Sequence, residues 1–104
     1  MENFFKHDKR LGIPVPDLLQ EWEAYSSSTQ DYILFHWERI RGSIPDRIAA
    51  LEHVINQKQA QLDEEMNFKR SCELNSEIAE LASVINELWL WYRTNQDISG
   101  KAHR

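Results

Sequence analysis

Two long stripes of apolar residues dominate the second half of the chain. Both advance at alternating steps of four and three residues, which places their side chains on one face of a helix. The first stripe, in which Lys58 takes one expected apolar position, comprises Ile44, Ile48, Leu51, Ile55 and Leu62. The second comprises Leu74, Ile78, Leu81, Ile85, Leu88 and Tyr92. The pattern predicts two long amphipathic helices whose seams pack against each other or against a second chain.

The first stripe cannot continue into the second in the same register. Its next apolar positions would be Glu65, Lys69, Cys72, Ser76 and Ala79. The second stripe therefore needs a reset, for which Asn67 is a suitable N-cap and Phe68 a first helical residue. We predict a tight turn near residue 67 and an antiparallel hairpin of helices over 44–65 and 68–94. One continuous rod is the alternative.

Two shorter helices are predicted before the hairpin. Residues 16–25 begin with Pro16, which suits a first helical turn, and carry one apolar stripe of Leu18, Leu19, Trp22 and Tyr25. Ser28 with Asp31 resembles a capping box and predicts a second helix over 29–41. Gly42 ends that helix, and Ser43 with Pro45 restarts the chain.

These elements predict an all-α fold in which short N-terminal helices pack on the base of a long antiparallel helical hairpin. Residues 1–15 show no sustained period and contain Pro14, so we expect an irregular arm there. The helical domain is predicted to span residues 16–95. A flexible tail is expected over 96–104.

The segment ELWLWYR, residues 87–93, crowds three aromatic rings into little more than one helical turn. Leu88 and Tyr92 belong to the seam, whereas Trp89 and Trp91 point in nearly opposite directions. At least one tryptophan therefore lies outside the contact between the two long helices. We expect the aromatic residues of helix 29–41, together with Trp22, to cover it, although an open aromatic patch for a partner is the alternative.

Composition narrows the functional classes. The net charge is −5, and all of it arises in residues 16–66, which disfavours a binder of duplex DNA. Cys72 is the single cysteine, so an intramolecular disulfide cannot form. No apolar run approaches the roughly 20 residues of a membrane span. We expect a cytoplasmic protein that does not enter the membrane.

The sequence contains no pattern typical of catalysis or of cofactor binding. The four histidines, His7, His36, His53 and His103, do not share the i, i+3 or i, i+4 spacing of a helix-borne metal site. The three glycines, at positions 12, 42 and 100, cannot form a glycine-rich phosphate loop. We expect no enzyme activity, no cofactor, no metal and no small-molecule substrate.

Residues 66–81, MNFKRSCELNSEIAEL, resemble the second half of the UVR motif. In that family a helical hairpin joins the B and C subunits of the bacterial nucleotide-excision nuclease. The family's turn, small-residue pair and helix positions correspond here to Asn67-Phe68, Ser71-Cys72, Leu74, Ile78 and Leu81. Lys69 departs from the usual acidic residue, and Asn75-Ser76 from the usual Arg-Asp. The resemblance implies a hairpin whose tip binds another hairpin.

The leading functional hypothesis is a non-enzymatic interaction module. It would form a homodimer or bind another helical protein through the hairpin. The candidate interaction residues are Phe68, Leu74, Ile78, Leu81, Trp89, Trp91 and Tyr92. The alternative is a nucleic-acid-associated regulatory factor with a basic N-terminal arm and an arginine patch, with Trp37 stacking on a base. That patch would comprise Arg39, Arg41 and Arg47.

Overall fold

The computed structural model describes residues 3–94 and shows two long helices packed as a hairpin. Helix α1 spans Ser27–Glu64 and helix α2 spans Phe68–Tyr92. The antiparallel helical hairpin predicted from the two stripes is therefore confirmed, and the molecule measures 59 Å along its longest axis. The predicted flexible tail, residues 96–104, lies outside the described residues.

The turn between the helices is capped as the sequence predicts. The Oδ1 atom of Asn67 accepts a hydrogen bond from the N–H of Arg70 at 3.1 Å. This bond satisfies one of the donors that the first turn of a helix leaves free. The side chain of Glu65 also accepts the N–H of Asn67, at 3.1 Å. The apolar stripe is thus interrupted near residue 67 by a turn of three residues, between the end of α1 at Glu64 and the start of α2 at Phe68.

The division of residues 29–65 into two helices is wrong, because α1 continues through Gly42 and Pro45. Pro45 lacks the N–H that would bond to the carbonyl four residues earlier. The hydroxyl of Ser43 donates to the carbonyl of Ile40 at 2.6 Å within the same segment. Ile44, fully buried, anchors the segment in the core. Packing there outweighs the local preference of Gly and Pro to end a helix.

The first cap of α1 also lies earlier than predicted. Ser26, not Ser28, is the N-cap, and its Oγ accepts from the N–H of Thr29 at 3.2 Å.

The N-terminal region contains two strands where the all-α prediction has an irregular arm. Strand β1 spans Phe5–Asp8, strand β2 spans Ile13–Pro16, and the two are antiparallel. Gly12 closes their loop with a positive φ of 76° and donates its N–H to the carbonyl of Asp8 at 2.7 Å. The fold is therefore mostly helical with a small two-stranded sheet.

The helix predicted over residues 16–25 is also wrong, because only Trp22–Ala24 form a single 3-10 turn. The apolar stripe divides between interior and solvent: Leu18 and Tyr25 are buried, but Leu19 is 77% exposed. The phenolic oxygen of Tyr25 accepts the backbone N–H groups of Leu19 and Gln20 at 3.2 Å each. A helix this short has little stability of its own, so packing decides its conformation.

The strand pair, which we call the β-hairpin, packs over the groove between the two helices at the base of the molecule. The guanidinium of Arg10 donates to Glu80, Ser83 and Glu87 of α2 at 2.8–3.1 Å. Arg47 of α1 donates from Nε to the carbonyl of Leu11 at 2.9 Å. The core at this end comprises Phe4, Leu11, Ile13, Leu18, Tyr25, Ile33, Trp37, Ile44, Ile48, Leu51, Val84, Leu88 and Trp91.

Candidate interaction surface

The two tryptophans of ELWLWYR have different environments. Trp91 is buried and meets the ring of Trp37 edge to face, with centroids 5.5 Å apart. Trp89 is 36% exposed and meets the ring of Tyr92 edge to face, with centroids 5.5 Å apart. The segment therefore completes the core with one ring and presents another at the surface.

Trp89 belongs to a side of the helical hairpin that the β-hairpin does not cover. On α2 the β-hairpin contacts Glu80, Ser83 and Glu87 through Arg10. At 100° per residue, Ile78, Ala82, Ile85 and Trp89 lie on the opposite side of that helix. We call this side, with Ile55 of α1 and Tyr92, the uncovered face. Its apolar side chains are half-buried or exposed.

A shallow groove of about 590 Å³ runs between the helices on the uncovered face. Its apolar floor is formed by Ile55, Ala82 and Ile85. Polar side chains form the rest of the lining, which comprises Glu52, Asn56, Gln59 and Asn86. Toward the base of the molecule, the guanidinium of Arg41 lies 5.0 Å from the centre of the Tyr92 ring, and its Nη1 donates to the Tyr92 carbonyl at 3.0 Å.

The predicted interaction residues do not form one surface. Ile78, Trp89 and Tyr92 lie together on the uncovered face, whereas Leu74 and Trp91 are buried. Phe68 is 83% exposed at the tip of the hairpin, beside Met66, which is 97% exposed. The tip contact that the UVR resemblance implies thus has exposed apolar side chains available, and it stays a prediction.

Leu81 lines a second groove, of about 400 Å³, on the side of the helices that carries the β-hairpin. Lys58, the polar residue in the first seam, bonds there to Glu77 at 2.8 Å. The hydrogen bond from Lys58 and its positive charge, with a further hydrogen bond from Arg70 and the charge of that guanidinium, lower the pKa of the Glu77 carboxyl. Lys58 is therefore neutralised within the chain and does not require a partner.

The three arginines of the predicted basic patch have separate surroundings. Arg41 pairs with Glu38 at 3.0 Å, and Arg47 is held by the Leu11 carbonyl. Arg39 is exposed. Trp37, the proposed stacking residue, is 0% exposed and donates from Nε1 to the carbonyl of Thr94 at 2.6 Å. A base cannot reach its ring, so the predicted stacking is wrong.

Among residues 3–94, no group of three or more His, Cys, Asp and Glu side chains is arranged to hold a metal ion. No helix in that range has the length and apolarity needed to cross a membrane. The sulfur of Cys72 is a free, exposed thiol.

Sequence reasoning missed the groove on the uncovered face and the role of Arg10. The groove could have been found, because Ala82 precedes Ile85 and Trp89 by one and two helical turns. The contacts of Arg10 join residues 70 to 77 positions apart, and no local pattern carries that information.

No protein-family model matches the chain, and comparisons with curated proteins and with solved structures find no significant match. Function must therefore be inferred from the surface itself.

Proposed function

We propose that the protein is a non-enzymatic interaction module that docks helices on the uncovered face, and that its first partner is a second copy of the chain. The observation that supports this is that the two sides of the helical pair differ in whether the N-terminal residues cover them. The β-hairpin covers one side of the helical pair at its base, while the other side, which the β-hairpin does not cover, presents the 36% exposed Trp89 and the half-buried Ile85.

The size of the uncovered face suits a contact of modest area. From Ile78 to Tyr92 the face extends about 22 Å along α2 at 1.5 Å per residue. With the 22 Å width of the molecule, each copy offers about 500 Å², which is in the range of small, concentration-dependent interfaces. Tryptophan and tyrosine are the side chains most often responsible for the affinity of such contacts.

Charge favours this face over the others for a self-contact. Two copies of a chain with a net charge of −5 repel each other, so they must meet where few charges are present. The uncovered face carries Glu52 and the internally paired Arg41, and its remaining polar groups include the amides of Asn56, Gln59 and Asn86. The opposite side carries the carboxylates of Glu77, Glu80 and Glu87.

Light scattering across a range of protein concentrations tests the proposal. We expect a mass of twice 12.4 kDa for the native chain at high concentration. Trp89→Glu places a charge in the contact and should give a monomer. Phe68→Ala, at the exposed tip, is the matched control and should stay dimeric.

A native chain that remains monomeric at every concentration would refute self-association. A dimer that Phe68→Ala dissociates, and that Trp89→Glu leaves intact, would assign the contact to the tip instead of the uncovered face.

A further inference from the structure

The two edges of the β-hairpin differ in what they can bind. In an antiparallel pair, residues alternate between bonding to the partner strand and pointing their N–H and C=O groups outward. The N–H of Asp17 bonds to the carbonyl of Phe4 at 2.9 Å, so the ladder bonds fall on Phe4, Lys6 and Asp8. The backbone groups of Phe5 and His7 therefore point away from β2.

Proline blocks the outer edge of β2. The register places Pro16 opposite Phe5 and Pro14 opposite His7, so both prolines occupy outward-facing positions. Neither has an N–H to donate, and such edge prolines prevent another strand from pairing. Strand β1 has no proline. A further strand can join this sheet only on the β1 side.

The outer edge of β1 is open to solvent in the described part of the chain. It is β2 that lies against α1, while Lys6 and His7 of β1 are exposed. The N–H of Phe5 donates to Oδ1 of Asn3 at 3.1 Å. The Asn3 amide thereby takes the position that the carbonyl of an added strand would occupy. The other backbone groups that point outward from this edge are the N–H and C=O of His7 and the C=O of Phe5.

The charges beside this edge indicate the chemistry of an added strand. Lys6 and Lys9 are exposed and form no ion pair within residues 3–94. The nearby carboxylate of Asp8 is engaged, since its Oδ1 accepts the N–H of Leu11 at 2.9 Å. Pairing of β1 with its own copy would bring two lysine-bearing segments together, which is unfavourable.

We propose that β1 binds an extended acidic segment of another protein, which adds as a third strand to its outer edge. Main-chain hydrogen bonds to Phe5 and His7 would supply affinity, and attraction to Lys6 and Lys9 would select an acidic sequence. This surface belongs to the N-terminal sheet and is separate from the uncovered face of the helices.

The test uses the full chain and a fluorescent six-residue peptide of alternating glutamate and valine, blocked at both ends, with binding followed by anisotropy. Its control is the same peptide N-methylated at all six residues, because methylation of the valines alone would leave the glutamate N–H groups free to pair. His7→Pro removes the outward N–H of β1 at the position opposite Pro14 and leaves the ladder bonds intact. His7→Val keeps that N–H and is the matched protein control. Circular dichroism and thermal unfolding verify that both variants fold.

We expect saturable binding of the acidic peptide that weakens about tenfold in His7→Pro, as the loss of a main-chain bond predicts. Binding should be unchanged in His7→Val, absent for the methylated peptide, and weaker at high salt. No saturation at millimolar peptide overturns the proposal, and so does equal binding to His7→Pro. A native dimer that His7→Pro dissociates would assign the edge to a second copy and would also overturn it.

Discussion

Trp37 shows how one residue joins distant parts of this fold. Its ring lies on α1, packs edge to face on Trp91 of α2, and donates a hydrogen bond to the carbonyl of Thr94 beyond that helix. An indole suits this position because it combines a large apolar surface with one donor. Phenylalanine would keep most of the packing and lose the donor.

We therefore predict that Trp37→Phe lowers the free energy of unfolding by about 1–3 kcal/mol, since the Thr94 carbonyl would stay buried without its donor. Denaturant unfolding measures the change. Trp22→Phe is the control, because Trp22 is half-buried and its indole N–H makes no hydrogen bond within residues 3–94. A similar loss in both variants would show that ring size, and not the hydrogen bond, accounts for the effect.

Trp89 and Trp91 show how much of a single residue's environment can be predicted from the sequence. Helical geometry alone establishes that the two rings point in different directions, so one of them must leave the seam. Which ring becomes buried depends on where Trp37 lies. Trp37 is 54 positions from Trp91 in the sequence, and the local sequence pattern does not predict that the two rings are in contact.

At the scale of an element, α1 contains two residues that usually end helices. Gly42 is exposed and has ordinary helical backbone, and apart from its neighbours in the chain and its own stretch of helix backbone nothing lies within 4 Å of the place that a Cβ would occupy. Gly12, in the loop of the β-hairpin, is the opposite case. Its φ is 76°, and an added Cβ would lie 2.6 Å from Nε of Arg47.

Substituting alanine for Gly42 and for Gly12 should therefore change the free energy of unfolding in opposite directions. Gly42→Ala should raise the free energy of unfolding by about 0.5–1 kcal/mol, since alanine loses less backbone entropy in a helix. Gly12→Ala should lower it, because the left-handed backbone is strained and the Arg47 contact is displaced. The temperature of unfolding checks both. A destabilised Gly42→Ala would mean that the helix needs flexibility at this point.

The β-hairpin was not predicted because its signal is short and broken. Each strand has four residues, and prolines alternate with Ile13 and Val15 in the second strand. A two-stranded hairpin is marginally stable by itself, and this one is held by the burial of Leu11 and by the bonds of Arg10. Its stability comes from the helices beneath it.

At the scale of the whole molecule, the core is concentrated at one end. The base is built from helices and sheet together, and its cluster contains thirteen buried residues among those that the structure describes. In the distal half of the helical hairpin, Leu74 is buried but stands outside that cluster, while Leu62 and Ile78 are half-exposed. Local stability should therefore fall from the base toward the tip.

Hydrogen exchange should reveal this gradient in the native protein. We expect the slowest amide exchange around residues 33–51 and 81–91, where packing is densest. Exchange should be faster in the helical segments at 56–64 and 68–72, which have fewer buried side chains. Mass spectrometry of peptides along the chain measures both. Uniform protection over the full length of the helices would contradict the expected gradient.

The sequence alone determined the helical hairpin, its turn at residue 67 and the seams, because these depend on periodicity and capping over neighbouring residues. It also indicated that one tryptophan near the end of α2 must leave the seam. Only the tertiary structure decided that α1 passes through Gly42 and Pro45, that the N-terminal segment forms strands, and that the β-hairpin leaves one face of the helices uncovered. Those outcomes depend on contacts between distant residues, such as Arg10 with Glu80 and Trp37 with Thr94, and long-range packing there outweighs local preference.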